Sequence, residues 1–207
     1  MQAREMLAIG LVAVPGVALG IVGTTHPQVL DPSTAHMWWT MHVALVPVFP
    51  LLGLVLVWLV RGRHDPVAWV ARVGAYVYAT FYTGLDVLAG IAAGRAVELQ
   101  PEGSPAALAM LRIGNALGDV GSWAYLAAAV ATALVVLRRH GIRALPGGVV
   151  LVAASVPFLY AHIYWPVGVF SMLGMAVGAA LLQGASGLRL PARPTGATVA
   201  GVEGTPR

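Results

Sequence analysis

The sequence has no cysteine among its 207 residues. Disulfide bridges, thiolate metal ligands, iron–sulfur clusters and a cysteine nucleophile are therefore excluded. Lysine is absent as well, because all twelve positions in the Lys+Arg count are arginine. No side chain can then form a Schiff base, which excludes a retinal-type pump and any enzyme that depends on a lysine nucleophile.

Charge is scarce too, at 10% of the residues, whereas 58% are hydrophobic and the mean hydropathy is +0.81. This is too little polar surface to cover a water-soluble globule. Apolar runs of nearly twenty residues recur, which is the length that a helix needs to cross a hydrocarbon core of roughly 30 Å. The alternating pattern of outer-membrane barrel strands is absent from the sequence. We therefore predict an all-α, polytopic membrane helix bundle.

Arginine, proline, glycine and polar residues divide the apolar sequence into about six predicted transmembrane helices. These spans cover residues 6–23, 42–60, 67–93, 117–137, 146–164 and 166–184, within a single domain of residues 1–185. The length of the first span, and its lack of a small-x-small cleavage site, favour a retained anchor over a signal peptide. We also predict short interfacial helices at 33–41 and 105–116, and a disordered cytoplasmic tail at 186–207.

The arginines are distributed unevenly between the two sides of the predicted membrane. Ten of the twelve fall in segments on one side, and only Arg95 and Arg112 fall on the other. Because positively charged loops stay in the cytoplasm, this predicts a plasma-membrane protein with both termini cytoplasmic. The same distribution indicates contact with anionic lipid headgroups of the bilayer rather than binding of nucleic acid.

Ionisable residues recur at one depth of the predicted bundle. Counting ~1.5 Å per residue from the inner arginines puts His42, Asp86, Asp119 and His162 within ~11 Å of the outer boundary, on four different helices. An ionisable group inside a span costs a few kcal/mol, so such groups usually face the bundle interior and find partners there. We therefore predict an outward-facing polar pocket.

Helical spacing adds further polar residues to this pocket, at i, i+4 or i+7 from the first ones. The first outward segment also carries two histidines that could close over it. The candidate metal ligands are His26, His36, His42 and His162; the candidate catalytic residues are Asp86, Asp119 and Ser122; and the candidate cofactor-binding residues are Tyr82 and Asn115. His36 and His42 are six residues apart, about 120° around a helix, so they cannot bind one ion unless the helix breaks between them.

Three kinds of function are compatible with such a pocket. Imidazole and carboxylate ligands suit zinc, copper or haem iron, which could serve a membrane-embedded metal-dependent enzyme. Without a metal, the same groups could relay protons in a small transporter or act as acid and base on a small hydrophobic or lipid-like ligand. The chain could also be a non-catalytic subunit of another membrane protein, because interhelical polar contacts also occur without any further role.

Overall fold

The computed structural model describes residues 3–187, and all the regular secondary structure within that range is helical. Its α-helices are α1 (Ala3–Gly23), α2 (Ala35–Leu45), α3 (Phe49–Leu59), α4 (Pro66–Leu85), α5 (Ala93–Leu99), α6 (Pro105–His140), α7 (Leu145–Ser155), α8 (Phe158–Ala161) and α9 (Val167–Gly187). A π-helical segment, Asp86–Ala92, joins α4 to α5, and a 3₁₀ turn, Gly141–Ala144, joins α6 to α7. The predicted all-α fold class is confirmed.

Five helical segments in the described range are long and apolar enough to cross a membrane: Ala3–Gly23, Ala35–Leu59, Pro66–Leu99, Pro105–Ala161 and Val167–Gly187. The fourth turns at Gly141, where φ is +65°, so that α6 and α7 pack against each other. Many large apolar side chains are exposed on the outer faces of the helices, as is expected where lipid replaces water. The chain thus has the helices of a membrane protein, while the count of six spans stays a prediction.

The long helices form a ring in the order α3, α4, α6, α7, α9 and α1, and α1 closes the ring against α3. Neighbours run antiparallel, as their glycine contacts show. For example, Gly74 of α4 faces Ala124 of α6 while Gly84 of α4 faces Leu117 of α6, so residue numbers rise on one helix as they fall on the other. The small residues let the backbones approach closely, which is how helices associate in lipid.

The break in the second apolar segment falls later than predicted. We expected an interfacial helix at 33–41 followed by a span from residue 42, but α2 continues to Leu45 and α3 begins at Phe49. The interruption surrounds Pro47, which has no backbone N–H to donate and whose ring clashes with the preceding turn of a helix. His42 therefore lies within a continuous helix.

Two other boundaries also differ from the sequence prediction. The predicted interfacial helix at 105–116 and the span at 117–137 form a single helix, α6, which begins where the Ser104 hydroxyl accepts the N–H of Ala107. Its internal glycines pack against α4 and do not interrupt it. Helix α9 extends to Gly187, past the predicted end of the last span, and the rest of the predicted tail, 188–207, lies outside the described residues.

Candidate metal centre

Three histidines meet at one end of the ring. His26 lies in the loop after α1, His42 lies in α2, and His162 directly follows α8. One ring nitrogen of each lies within 4.8 Å of the other two. The ring centroids of His26 and His42 are 5.1 Å apart, those of His26 and His162 are 5.7 Å apart, and those of His42 and His162 are 6.1 Å apart. The residues His26 and His42 are only 4% and 2% exposed.

The Nδ1 atom of each ring has a hydrogen-bond partner. The Nδ1–H of His26 donates to the carbonyl of Pro27 at 2.7 Å, and that of His42 donates to the carbonyl of Trp38 at 2.7 Å. Nδ1 of His162 is 2.6 Å from the hydroxyl oxygen of Tyr82. A carbonyl accepts only from a protonated nitrogen, so the lone pairs of His26 and His42 are on Nε2, the arrangement typical of histidines that bind metals.

The Nε2 atoms are the ring nitrogens that remain available as metal ligands. Those of His26 and His162 are buried and have no hydrogen-bond partner within the described range. In a tetrahedral zinc site with Zn–N near 2.1 Å, two ligand nitrogens lie about 3.4 Å apart. One nitrogen of each ring, Nδ1 or Nε2, lies within 4.8 Å of those of the other two, so the nearest nitrogens would have to approach by at most about 1.4 Å, which side-chain rotation can provide.

His162 has a backbone conformation that L-residues rarely adopt. Its φ is +45°, the one positive φ at a non-glycine position among residues 3–187. Such a conformation costs about 1–3 kcal/mol and tends to occur at functional sites. Packing holds the residue in place, because a Cβ at Gly168 would lie 2.5 Å from the His162 carbonyl oxygen. The strained turn directs the imidazole towards Tyr82 and the other two histidines.

The π-helical segment supports His42. A π-helix has a wider turn than an α-helix, with hydrogen bonds from residue i to residue i+5. The carbonyl of Ala89, within this segment, accepts the indole N–H of Trp38 at 3.0 Å. Next to Ala89, Gly90 lies directly against the imidazole of His42, with no room for a Cβ. The ring of His42 is thus fixed between its own helix and the π-helical segment.

The loop that carries His26 is held over the cluster by aromatic contacts. The His26 ring lies 4.9 Å from the ring of Tyr164 and 5.1 Å from that of Trp38, both edge-to-face. Close packing of Gly23 on the carbonyl of Ile163 brings this loop to the α8–α9 turn. Burial lowers the pKa of His26 to about 4, so its imidazole is neutral at physiological pH and can donate a lone pair.

A cavity of about 330 Å³ adjoins the histidines. It extends from the buried His42 to a rim that includes Tyr160, which is 75% exposed. Its polar lining includes four residues that the sequence analysis predicted for the pocket: Tyr82, Asn115, Asp119 and Ser122. The hydroxyl of Ser122 donates to the backbone carbonyl of Asp119 at 3.1 Å, and Asp119 itself is exposed and lines the cavity.

Asp86 is fully buried, at 0% exposure, and begins the π-helical segment. Neither of its carboxyl oxygens has a hydrogen-bond partner in the described part of the chain. It lies one turn after Tyr82 on the same stripe of the helix, as its spacing predicts, and does not line the cavity. Asp86 therefore lies next to Tyr82 in the protein interior and not in the wall of the cavity.

The structure does not bring His36 to the cluster. Its side chain is 73% exposed, and its Nδ1 lies 2.8 Å from Oε1 of Glu98. The other carboxylate oxygen of Glu98 accepts the indole N–H of Trp39 at 2.8 Å. Because α2 is unbroken from Ala35 to Leu45, His36 and His42 point in different directions, as their six-residue separation requires.

Three contributors to the site were not predicted from the sequence: the carbonyls of Pro27 and Trp38 and the ring of Tyr164. The spacing of Trp38 and His42 is a usable signal, because the i and i+4 positions put a histidine ring beside the carbonyl one turn earlier. Tyr164, two residues after His162, has no comparable signal in the sequence.

The fold and the site define a class: an all-helical protein with helices long and apolar enough to span a membrane, and a largely buried three-histidine cluster that could bind a metal ion. In comparisons with protein-family models, with curated proteins and with solved structures, nothing matched this chain.

Proposed function

We propose that the protein binds one transition-metal ion, with zinc the best fit, through Nε2 of His26, His42 and His162. The ion would serve a membrane-embedded, metal-dependent enzyme. One observation carries this proposal: three largely buried imidazoles offer ligand atoms within 4.8 Å of one another while each Nδ1 is engaged elsewhere. Neutral imidazole nitrogens suit zinc, copper and iron.

The packing of the rings favours a bare ion over haem. A bis-histidine haem needs two axial imidazoles with the macrocycle between them, and His42 and His162 are the pair with the larger separation. The ring of His26, 5.1 Å from one and 5.7 Å from the other, occupies the space beside their midpoint. A macrocycle would have to displace His26, whereas a single ion uses all three rings and requires only a small approach of each.

Three protein ligands leave a fourth coordination position, and the adjoining cavity supplies room for water or substrate there. A zinc-bound water has a pKa near 7 and can act as a nucleophile. Within the cavity, the carboxylate of Asp119 could accept a proton, and Ser122 and Asn115 could orient a substrate by hydrogen bonds. This division of roles supports a hydrolytic reaction at the metal.

The location of this site in the cell follows from the arginines. At the end of the ring opposite the histidines lie Arg61, Arg72, Arg138 and Arg143, whereas Arg95 and Arg112 belong to the histidine end. Positive residues are retained in the cytoplasm. We therefore propose a plasma-membrane protein whose metal centre faces outward and whose termini are both cytoplasmic.

Elemental analysis of protein purified without a polyhistidine tag tests the metal centre. The wild-type protein should contain one metal ion per chain. The variants His26→Ala, His42→Ala and His162→Ala should each lower zinc affinity by about a hundredfold or more, because only two histidine ligands remain in each. His36→Ala is the matched control, since it removes an exposed histidine from the same end of the molecule.

The control variant should keep one ion per chain. A fully folded wild-type protein that takes up no zinc, copper or iron would refute the proposal. Equal loss of metal from His36→Ala and His42→Ala would also refute the proposal. It would show that the buried His42 is no more important for metal binding than the exposed His36.

Proton transfer is a second candidate function, favoured by Asp86. Its carboxyl group is fully buried and has no hydrogen-bond partner among residues 3–187; such a group is costly in a membrane and commonly marks a proton path. The hydrogen bond between Tyr82 and His162 could extend such a path towards the cavity. Proton coupling predicts pH-dependent flux in liposomes that Asp86→Asn abolishes; flux that is unchanged in this variant would exclude it.

A further inference from the structure

The surface between α6 and α7 holds a second cavity, of about 410 Å³, whose lining side chains are all apolar. It is formed by residues between 130 and 137 on α6 and between 144 and 153 on the α7 side. We call this cavity the α6–α7 groove. It is distinct from the metal pocket, with which it shares no lining residue.

The groove and the metal pocket lie on the same side of the same helices. On α6, Asp119 lines the pocket and Val130 lines the groove. These residues are eleven positions apart, which is about three turns and returns to within about 20° of the same face. On the other wall, Leu159 of α8 lines the pocket and Ala153 of α7 lines the groove. An elongated molecule could therefore contact both.

The metal pocket and the α6–α7 groove lie at different depths of the predicted bilayer, as the polar head and the apolar chain of an amphiphile do. Asp119 precedes Arg138 by nineteen residues, about 28 Å of helix, which is nearly the whole hydrocarbon thickness. The polar pocket thus lies at the outer edge of the bilayer, where headgroups are found. The groove, whose α6 residues begin at Val130, lies within the hydrocarbon region.

We propose that the ligand of this site is a single-chain amphiphile, with its polar head at the metal pocket and its acyl chain in the α6–α7 groove. This inference rests on the proposed metal centre. Nine residues separate His162 from Ala153, which is about 14 Å at the rise of a helix. A sixteen-carbon chain spans about 15 Å, half of a hydrocarbon core, so it reaches the end of the groove nearest the metal pocket.

The test uses the full chain loaded with Co²⁺, whose visible absorption changes when its ligands change. The probes are acetohydroxamate and hexadecanohydroxamate, which present the same chelating head with a short or a long chain. Ala153→Trp fills the groove. Val177→Trp is the matched control, because this side chain is 52% exposed on α9, lines neither cavity, and lies at the depth of Leu151, against which Gly178 packs.

Each methylene group that leaves water increases the affinity of the probe roughly fourfold. Partition of the long probe into the bilayer increases its apparent affinity equally for both variants, so a difference between the variants reports on the groove. We expect Ala153→Trp to weaken hexadecanohydroxamate binding at least tenfold and to leave acetohydroxamate binding within twofold. Val177→Trp should change neither. The short probe also reports, in the same sample, that the metal site of each variant is intact.

The outcomes separate this inference from the proposed function. If Co²⁺ and acetohydroxamate bind but both tryptophan variants bind hexadecanohydroxamate with the same affinity, the groove does not hold the acyl chain, and only the inference is overturned. If Ala153→Trp weakens both probes equally, it acts on the metal pocket and the inference is overturned as well. If no Co²⁺ binds, the proposed metal centre and the inference fail together.

Discussion

Replacement of Gly90 by alanine should disturb the proposed metal centre without removing any of its candidate ligands. A Cβ built on Gly90 would lie 2.7 Å from the Cβ of His42 and closer still to two carbon atoms of its ring. Carbon atoms in contact are normally about 3.5–4.0 Å apart. The ring must therefore move by about 1 Å, whereas metal–ligand distances tolerate only about 0.2 Å.

Two consequences follow from that displacement. Overpacking of this kind usually destabilises a protein by about 1–3 kcal/mol. A ligand displaced by about 1 Å also contributes little to binding, so zinc affinity should fall by about a hundredfold or more. Competition for zinc with a chromophoric chelator measures the affinity, and thermal unfolding in chelator measures the stability. Gly10→Ala is the control, because a Cβ there meets nothing within 4 Å.

A double variant distinguishes this mechanism from general damage to the fold. His42→Ala removes the ring that the new Cβ would meet, so Gly90→Ala should cost much less stability in that background than in the wild type. The difference is the coupling free energy of the two positions, which we expect to exceed 1 kcal/mol. If Gly90→Ala keeps wild-type zinc affinity and stability, or if the two changes are additive, the placement of His42 against the π-helical segment is wrong.

Two further predictions concern the surroundings of the ion. Tyr82→Phe removes the partner of His162 Nδ1 and should lower zinc affinity about 10–100-fold while one ion per chain still binds at saturation; an unchanged dissociation constant would show that the hydroxyl has no such role. The metal-free protein should lose thermal stability as the pH falls from 6.5 to about 4, because the unfolded chain takes up a proton that the buried His26, with its pKa lowered to about 4, does not. His26→Gln should flatten this part of the profile, and a profile that keeps its slope in that variant would assign the loss to other groups.

The class of fold could be predicted from the sequence because the controlling physics is local. A run of nearly twenty apolar residues has one main solution in a bilayer, a helix with all its backbone groups satisfied internally. Breaks were harder to place. Pro47 interrupts the helix although the predicted boundary was at residue 42, and α6 continues through a predicted boundary at 117 because its glycines pack on α4.

The candidate site was predicted in part, since an ionisable group in a span needs partners at its own depth. That argument placed His42 and His162 in one pocket and suggested His26 as a residue that closes over it, and the structure brings all three together. It could not tell that His36 would instead pair with Glu98, because the contact depends on how α2 packs against α5.

The details that make the cluster suitable for a metal depend on tertiary packing. The positive φ of His162 is imposed by contacts with the start of α9, and the π-helical segment from Asp86 meets Trp38, which is 51 positions from Ala89 in the chain. No local pattern in the sequence encodes either. The direction of each Nε2 follows from hydrogen bonds whose acceptors, such as the carbonyl of Pro27, have no residue-type signature.

The three histidines come from different segments of the chain, the loop after α1, helix α2 and the turn before α9. An ion bound to them would crosslink these segments at the histidine end of the ring, as a disulfide does in secreted proteins that possess cysteine. Its removal should then loosen one end of the ring while the arginine-rich end keeps its order. Hydrogen exchange would show such a difference as faster exchange confined to the histidine end.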